Sequence, residues 1–174
     1  MSIKEKALVF ATKAHNSVGQ KRKYSGEEYI VHPIEVAEMV SNTGGTDEMI
    51  AAAYLHDVVE DTGVSIETIR KEFGEAVADL VNDLTNVSKP SDGNRRTRKA
   101  LDLKHTAEAS AEAKIIKLAD LISNTKSIVK NDPSFARVYL QEKRDLLKVL
   151  KSGHPLFKVA EELLKESWDS LNKR

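Results

Sequence analysis

The chain has no cysteine in 174 residues, which excludes disulfide scaffolds, thiolate-held zinc, iron–sulfur clusters and thiol catalysis. Glycine and proline are scarce, at 8 and 4. Aromatics are few (4 Phe, 4 Tyr, 1 Trp), and charge of one sign is not in excess, since 27 Lys+Arg face 27 Asp+Glu. A strongly basic nucleic-acid binder is therefore not expected, although a local basic patch is compatible with zero net charge. No apolar run approaches the roughly 20 residues of a membrane span, and the start, Met1 to Lys6, has no apolar leader stretch. A cytoplasmic protein without a membrane or nucleic-acid partner is expected. Nothing in the residues speaks to oligomeric state.

What is present is the composition of a soluble domain with a real core: 40% hydrophobic and 31% charged residues. A chain of this length buries about 70% of its unfolded surface and needs neither disulfide nor structural metal to fold. There is no repeat, low-complexity segment or dividing linker, so one domain over residues 1–174 is expected. Apolar residues recur at helical spacing almost throughout, beginning with Ile3, Ala7, Phe10, Ala11, Ala14 and Val18. Ser2 and Glu5 form a capping-box pattern before that run. A polar loop from about Gly19 to Glu28 follows. The spacing predicts helices over 33–41, 47–61, 65–73, 75–87, 95–108 and 111–130. Another is expected from Asp132-Pro133 to about Leu150, and a last one follows Gly153-His154-Pro155. Sustained period-2 alternation is absent, and the fold class expected is all-α.

Five histidines occur, and His56 stands out because Asp57 follows it in an otherwise apolar segment. Glu60 and Asp61 come next. On one continuous helix His56 stacks on Glu60 and Asp57 on Asp61, which gathers four ionisable groups on one face. Burying three carboxylates together is costly unless a cation neutralises them, and imidazole with carboxylate is a suitable ligand set for a metal. An exposed polar face at the end of a core helix is the simpler account of this segment taken alone. His32 lies 24 positions before His56, and Asp120 lies 63 after Asp57 within an apolar helical run. A buried aspartate there needs a partner, and a helix cap or a Lys/Arg would serve as well as a metal.

Together His32, His56-Asp57 and Asp120 form the pattern H…HD…D, which resembles the HD-domain metal-dependent phosphohydrolases, an all-α superfamily. The stretch from Gln20 to Ala37, the run His56-Asp57-Val58-Val59-Glu60-Asp61, and Lys117-Leu118-Ala119-Asp120 followed by Asn124 narrow the likeness. They resemble the hydrolase domain of the RelA/SpoT group and, in length, its small Mesh1-like members. The likeness covers about residues 7 to 150. In two places the pattern departs: Leu121 stands where the large enzymes usually carry arginine, and the His15-to-Gly19 spacing is longer than usual, so His15 is given no function.

The resemblance implies an HD-domain helical bundle that hydrolyses the 3′-pyrophosphate of guanosine tetra- or pentaphosphate. It implies a single Mn²⁺ held by His32, His56, Asp57 and Asp120. Two imidazoles and two carboxylates suit a transition metal better than magnesium. Glu60 and Asp61 are the implied acid–base pair, against the alternative of a helix-end pair. Arg22 and Lys23 match the group's substrate-binding cations. Asn124, one turn beyond Asp120, is placed to reach ribose or base, and Ser127 is one turn further. Tyr139 is either a nucleotide contact or core. The basic run Arg95-Arg96-Thr97-Arg98-Lys99 either assists the pyrophosphate or is an exposed helix start. Two competing readings are an HD phosphatase for another nucleotide, such as NADPH or a nucleoside monophosphate, and a non-catalytic nucleotide sensor. The intact Glu60-Asp61 pair argues against the sensor.

Overall fold

The computed structural model describes residues 1–173. It contains ten α-helices and one 3₁₀ turn, and no strand among the described residues. In chain order these are α1 (Ile3–Ser17), α2 (Val31–Asn42), α3 (Asp47–Leu55), α4 (Val58–Thr62), α5 (Ile66–Phe73), α6 (Glu75–Leu84), the turn Pro90–Asp92, α7 (Arg95–Ala107), α8 (Ala111–Asn131), α9 (Pro133–Val149) and α10 (Pro155–Asn172). The starts follow from capping chemistry. Ser2 and Glu5 close a reciprocal capping box, and Thr46, Ser65, Asn94, Ser110 and Asp132 each accept a main-chain N–H of the first turn they precede.

Two helices hold the middle of the bundle. Ala51, Ala52 and Ala53 of α3 are fully buried, and such short side chains let α1, α2, α6 and α8 close around it. Helix α8 buries Ile116, Leu118, Leu121 and Ile122 and packs on α2, α3, α6, α9 and α10. Burial of side chains of that size contributes about 1.5–3 kcal/mol each. The one charged residue that α8 buries among the described residues, Asp120, is thereby carried into the interior, with Ser123 and Thr125 buried beyond it on the same helix.

The structure differs from the periodicity in three places. The expected helix 47–61 is two helices. The Nδ1–H of His56 donates to the Ala53 carbonyl at 2.6 Å, the acceptor that the N–H of Asp57 would use in a continuing helix, so the ladder is interrupted by a side chain. Asp57 then takes φ −103°, ψ −2°, the bridge region, before α4 resumes. Helix α2 begins at Val31 rather than Pro33, which puts His32 inside its first turn. Helix α6 stops at Leu84 because the next N–H groups bond elsewhere: Asn86 to the Glu60 carboxylate at 2.5 Å, Val87 and Ser88 to Asp102 at 2.9 Å each.

Candidate active site

Three elements converge on one point. The first turn of α2 brings His32, the α3–α4 corner brings His56 and Asp57, and the middle of α8 brings Asp120. One ligating atom from each lies within 4.8 Å of all the others. Asp120 Oδ1 is 2.9 Å from His32 Nε2 and 3.2 Å from His56 Nε2. Asp57 Oδ2 is 3.1 Å from His56 Nε2 and 3.7 Å from His32 Nε2. The helix break at His56 matters here, because Asp57 turns toward the imidazole beside it instead of pointing away as successive helical residues do. The gathering on one helical face that the sequence suggested for His56, Asp57, Glu60 and Asp61 is thus made by a corner.

The outer nitrogens settle what the inner ones present. A carbonyl only accepts, so His56 carries its proton on Nδ1, and Nε2 faces the two carboxylates. His32 Nδ1 lies 2.8 Å from Ser123 Oγ, which leaves its Nε2 facing the same two groups. Two imidazole nitrogens and two carboxylate oxygens converging in a buried space is a donor set that needs positive charge. With protein atoms alone, protons supply it. Burial works against the His56 imidazolium, yet Asp57 and Asp120 push its pKa well above the ordinary value. Burial likewise works against the Asp57 carboxylate, but His56 holds it at about 2. A divalent cation satisfies the same four atoms, and the residues fit one by number, type and convergence.

The cluster opens onto a cavity of about 730 Å³ whose lining includes Tyr29, Asp57, Glu60, Asp61, Lys117, Asp120 and Asn124. Helices α7 and α9 supply the opposite wall with Arg95, Arg96, Lys99, Glu142 and Lys143. Some of these cations are committed: Arg95 pairs with Glu142 at 3.0 Å and Lys117 with Asp120 at 3.4 Å. Burial disfavours the Lys117 charge, but Asp120, Asp57 and Glu60 outweigh it and keep it an ammonium. Arg96, Lys99 and Lys143 have no carboxylate within 4 Å among the described residues. Burial, with Lys117 adding repulsion, pushes Lys143 down to about 7. Burial also raises the carboxyls of Glu60 and Asp61, partly offset by the Asn86 N–H on Glu60 and by Gln20 on Asp61.

The residues expected from sequence fall into two groups. His32, His56, Asp57 and Asp120 meet, and Glu60, Asp61 and Asn124 line the same cavity. Arg22 reaches the cavity's edge, 3.5 Å from Asn124 Oδ1 and 6.0 Å from the Tyr29 ring. Lys23, Ser127 and Tyr139 lie outside the cavity lining. Lys23 is exposed with its ammonium 5.3 Å over the Tyr24 ring. Tyr139 is core: it is buried, its hydroxyl pairs with Thr125 at 3.2 Å, and Lys143 covers its ring at 5.1 Å. Of the basic run, Arg95, Arg96 and Lys99 face the cavity. Sequence reasoning missed Tyr29, whose hydroxyl donates to Asp57 Oδ2 at 2.5 Å, and it missed the cavity lysines Lys117 and Lys143. For Lys117 a signal existed, since a lysine one turn from Asp120 interrupts the same apolar run. For Lys143 there was none.

The HD domain family model matches residues 7–151. A probable guanosine-3′,5′-bis(diphosphate) 3′-pyrophosphohydrolase of Synechocystis sp. is 38% identical over 144 residues, 81% of this chain and 19% of that protein. The guanosine-3′,5′-bis(diphosphate) 3′-pyrophosphohydrolase MESH1 of Drosophila melanogaster is 39% identical over 129 residues, 72% of this chain and 69% of that protein. The chain therefore spans about a fifth of the length of the Synechocystis relative and just over two thirds of MESH1. Among solved structures, a metazoan orthologue of SpoT described as hydrolysing ppGpp superposes with a TM-score of 0.83 at 27% identity, covering 95% of this chain and 96% of that one.

Proposed function

The chain belongs to the HD domain family, and from that premise we propose that it is a metal-dependent hydrolase that removes the 3′-pyrophosphate of guanosine 3′,5′-bis(diphosphate) or its pentaphosphate analogue. The observation that carries the proposal is the convergence of His32, His56, Asp57 and Asp120 at the end of a cation-walled cavity. The substrate is that named for the Synechocystis and Drosophila relatives, both guanosine-3′,5′-bis(diphosphate) 3′-pyrophosphohydrolases.

His32, His56, Asp57 and Asp120 would hold one divalent ion, for which Mn²⁺ is our choice. Such an ion supplies acidification of water and charge neutralisation at the phosphate. The chain's own groups do the rest. In the proposed reaction a water oxygen forms a bond to the phosphorus next to the ribose 3′-oxygen, the bond from that phosphorus to the 3′-oxygen breaks, and the 3′-oxygen takes a proton. Glu60 and Asp61 are the proposed proton carriers, and burial, which favours the protonated carboxyl, suits one of them to donate. Lys117, Lys143, Lys99 and Arg96 offset the charge of the two phosphate arms. Arg22, beside Tyr29 and Asn124, offers a flat guanidinium to the base or ribose. Tyr29 fixes Asp57 by donating to it. A phosphorylated nucleotide does not cross membranes unaided, so the expected cytoplasmic location is part of the same proposal.

The test is turnover of a nucleotide panel by protein stripped with a chelator and reloaded with Mn²⁺. Guanosine 3′,5′-bis(diphosphate) should be turned over only after reloading. Brisk turnover of NADPH or a nucleoside monophosphate, with none of the bis(diphosphate), would favour the competing phosphatase.

A further inference from the structure

The two imidazoles of the cluster are held from behind in different ways. His56 Nδ1 is fixed by a main-chain carbonyl, Ala53, at 2.6 Å, which no side-chain substitution removes. His32 Nδ1 is fixed by a side chain, Ser123 Oγ at 2.8 Å, and that hydroxyl in turn donates to Glu35 Oε2 at 3.1 Å. Ser123 has only one proton. A carboxylate oxygen only accepts, so that proton goes to Glu35, and the serine oxygen is left to accept from His32. Ser123 is 2% exposed and His32 1%, so no water competes for the bond. Helix α2 carries both ends of this chain of bonds, His32 and Glu35 one turn apart, and α8 carries the middle, Ser123 one turn after Asp120.

We infer that Glu35 and Ser123 are positioning residues that select the Nδ1–H tautomer of His32 and so keep its Nε2 bare for a divalent ion. The inference rests on the metal-dependent reading above. Its logic is a competition for one proton. With Ser123 accepting, the proton stays on Nδ1. Without it, the proton does better on Nε2, where Asp120 Oδ1 waits at 2.9 Å, and a protonated Nε2 cannot ligate. The carboxylate behind the serine also makes the imidazole a better donor to the ion, the role that groups behind metal-bound histidines commonly play.

The experiment measures Mn²⁺ affinity of the chelator-stripped full chain from the electron paramagnetic resonance signal of free Mn²⁺, without substrate or turnover. Ser123→Ala should weaken binding about 10- to 100-fold. Glu35→Ala should weaken it in the same direction, and Glu35→Gln, whose amide oxygen still accepts from Ser123, should restore most of the affinity. Circular dichroism of the stripped proteins checks that each variant is folded, and the half-buried Glu35 series stands on its own should Ser123→Ala misfold. Wild-type affinity in both Ser123→Ala and Glu35→Ala, alongside lost binding in His32→Ala, would overturn the inference and leave the metal reading standing. Failure of the wild-type chain to bind Mn²⁺ at all would instead overturn the metal reading.

Discussion

His56 and Asp57 are neighbours in sequence that act on the same point in space, and they do so because His56 spends its outer nitrogen on the Ala53 carbonyl. Each proposed ligand has a consequence that can be measured. His32→Ala and Asp120→Ala should leave the chain without a stoichiometric ion, read as metal content after gel filtration. Glu60→Gln and Asp61→Asn touch none of the four ligating atoms. They should keep the ion while lowering kcat about 100-fold or more; unchanged rates in both would reduce the pair to a helix end. Lys143 gives a different signature. Its folded-state pKa of about 7 lies below the ordinary lysine value of 10.5, so the unfolded chain binds the proton more tightly. The cost of burying its charge is fully present below pH 7 and is relieved as pH rises toward 10.5. Lys143→Met should therefore melt higher than wild type near pH 6, with the gap narrowing as pH rises above 7 and closing only near 10.5. The same variant should raise KM for the polyphosphate about tenfold or more, because one charge-assisted contact is lost. A gap that does not change with pH would contradict the placement of Lys143.

At the scale of elements, much was legible, while one helix break and two helix boundaries were not. The caps and prolines that open α1, α8, α9 and α10 are local chemistry, and local chemistry can be read from a sequence. The break between α3 and α4 cannot, because the residues from Asp47 to Asp61 keep helical spacing straight through it; only the side chain of His56, seated on its own helix, ends the ladder. The motif residues were legible as a set because types and order carried them. The tilt that turns Asp57 inward was a property of the corner. Lys23, Ser127 and Tyr139 sit at plausible spacings, but a loop's path and a helix's rotation decide what they touch, and neither is written in local pattern. Helix α4 ends on Gly63 at φ +78°, a left-handed position that side chains resist. Gly63→Ala should cost about 1–2 kcal/mol in denaturant unfolding. It should lower kcat less than Glu60→Gln does, because it loosens the helix that carries the proposed acid–base pair without removing either carboxyl.

Across the whole molecule, α8 is the beam on which the account depends. It buries an apolar flank against five other helices, and through Asp120, Ser123 and Asn124 it presents a polar one to the cluster. The opposite wall comes from α7 and α9, far along the chain, and this is why the cavity's cations were only half visible in advance: the basic run of α7 is conspicuous, while Lys143 is one lysine among many. In the proposed function, a metal held at one end and the cations without a carboxylate partner among the described residues at the other would make a place for a nucleotide with two phosphate arms, cut beside the ribose. Hydrolysis of guanosine 3′,5′-bis(diphosphate) by the Mn²⁺-loaded protein in ¹⁸O-water, followed by phosphorus NMR and mass analysis, tests this most directly. Attack at the phosphorus beside the ribose 3′-oxygen gives pyrophosphate carrying one ¹⁸O, with GDP free of label, in a single step. Orthophosphate as the first product, label in the GDP, or no turnover of this nucleotide by protein shown to hold its ion would contradict the proposal.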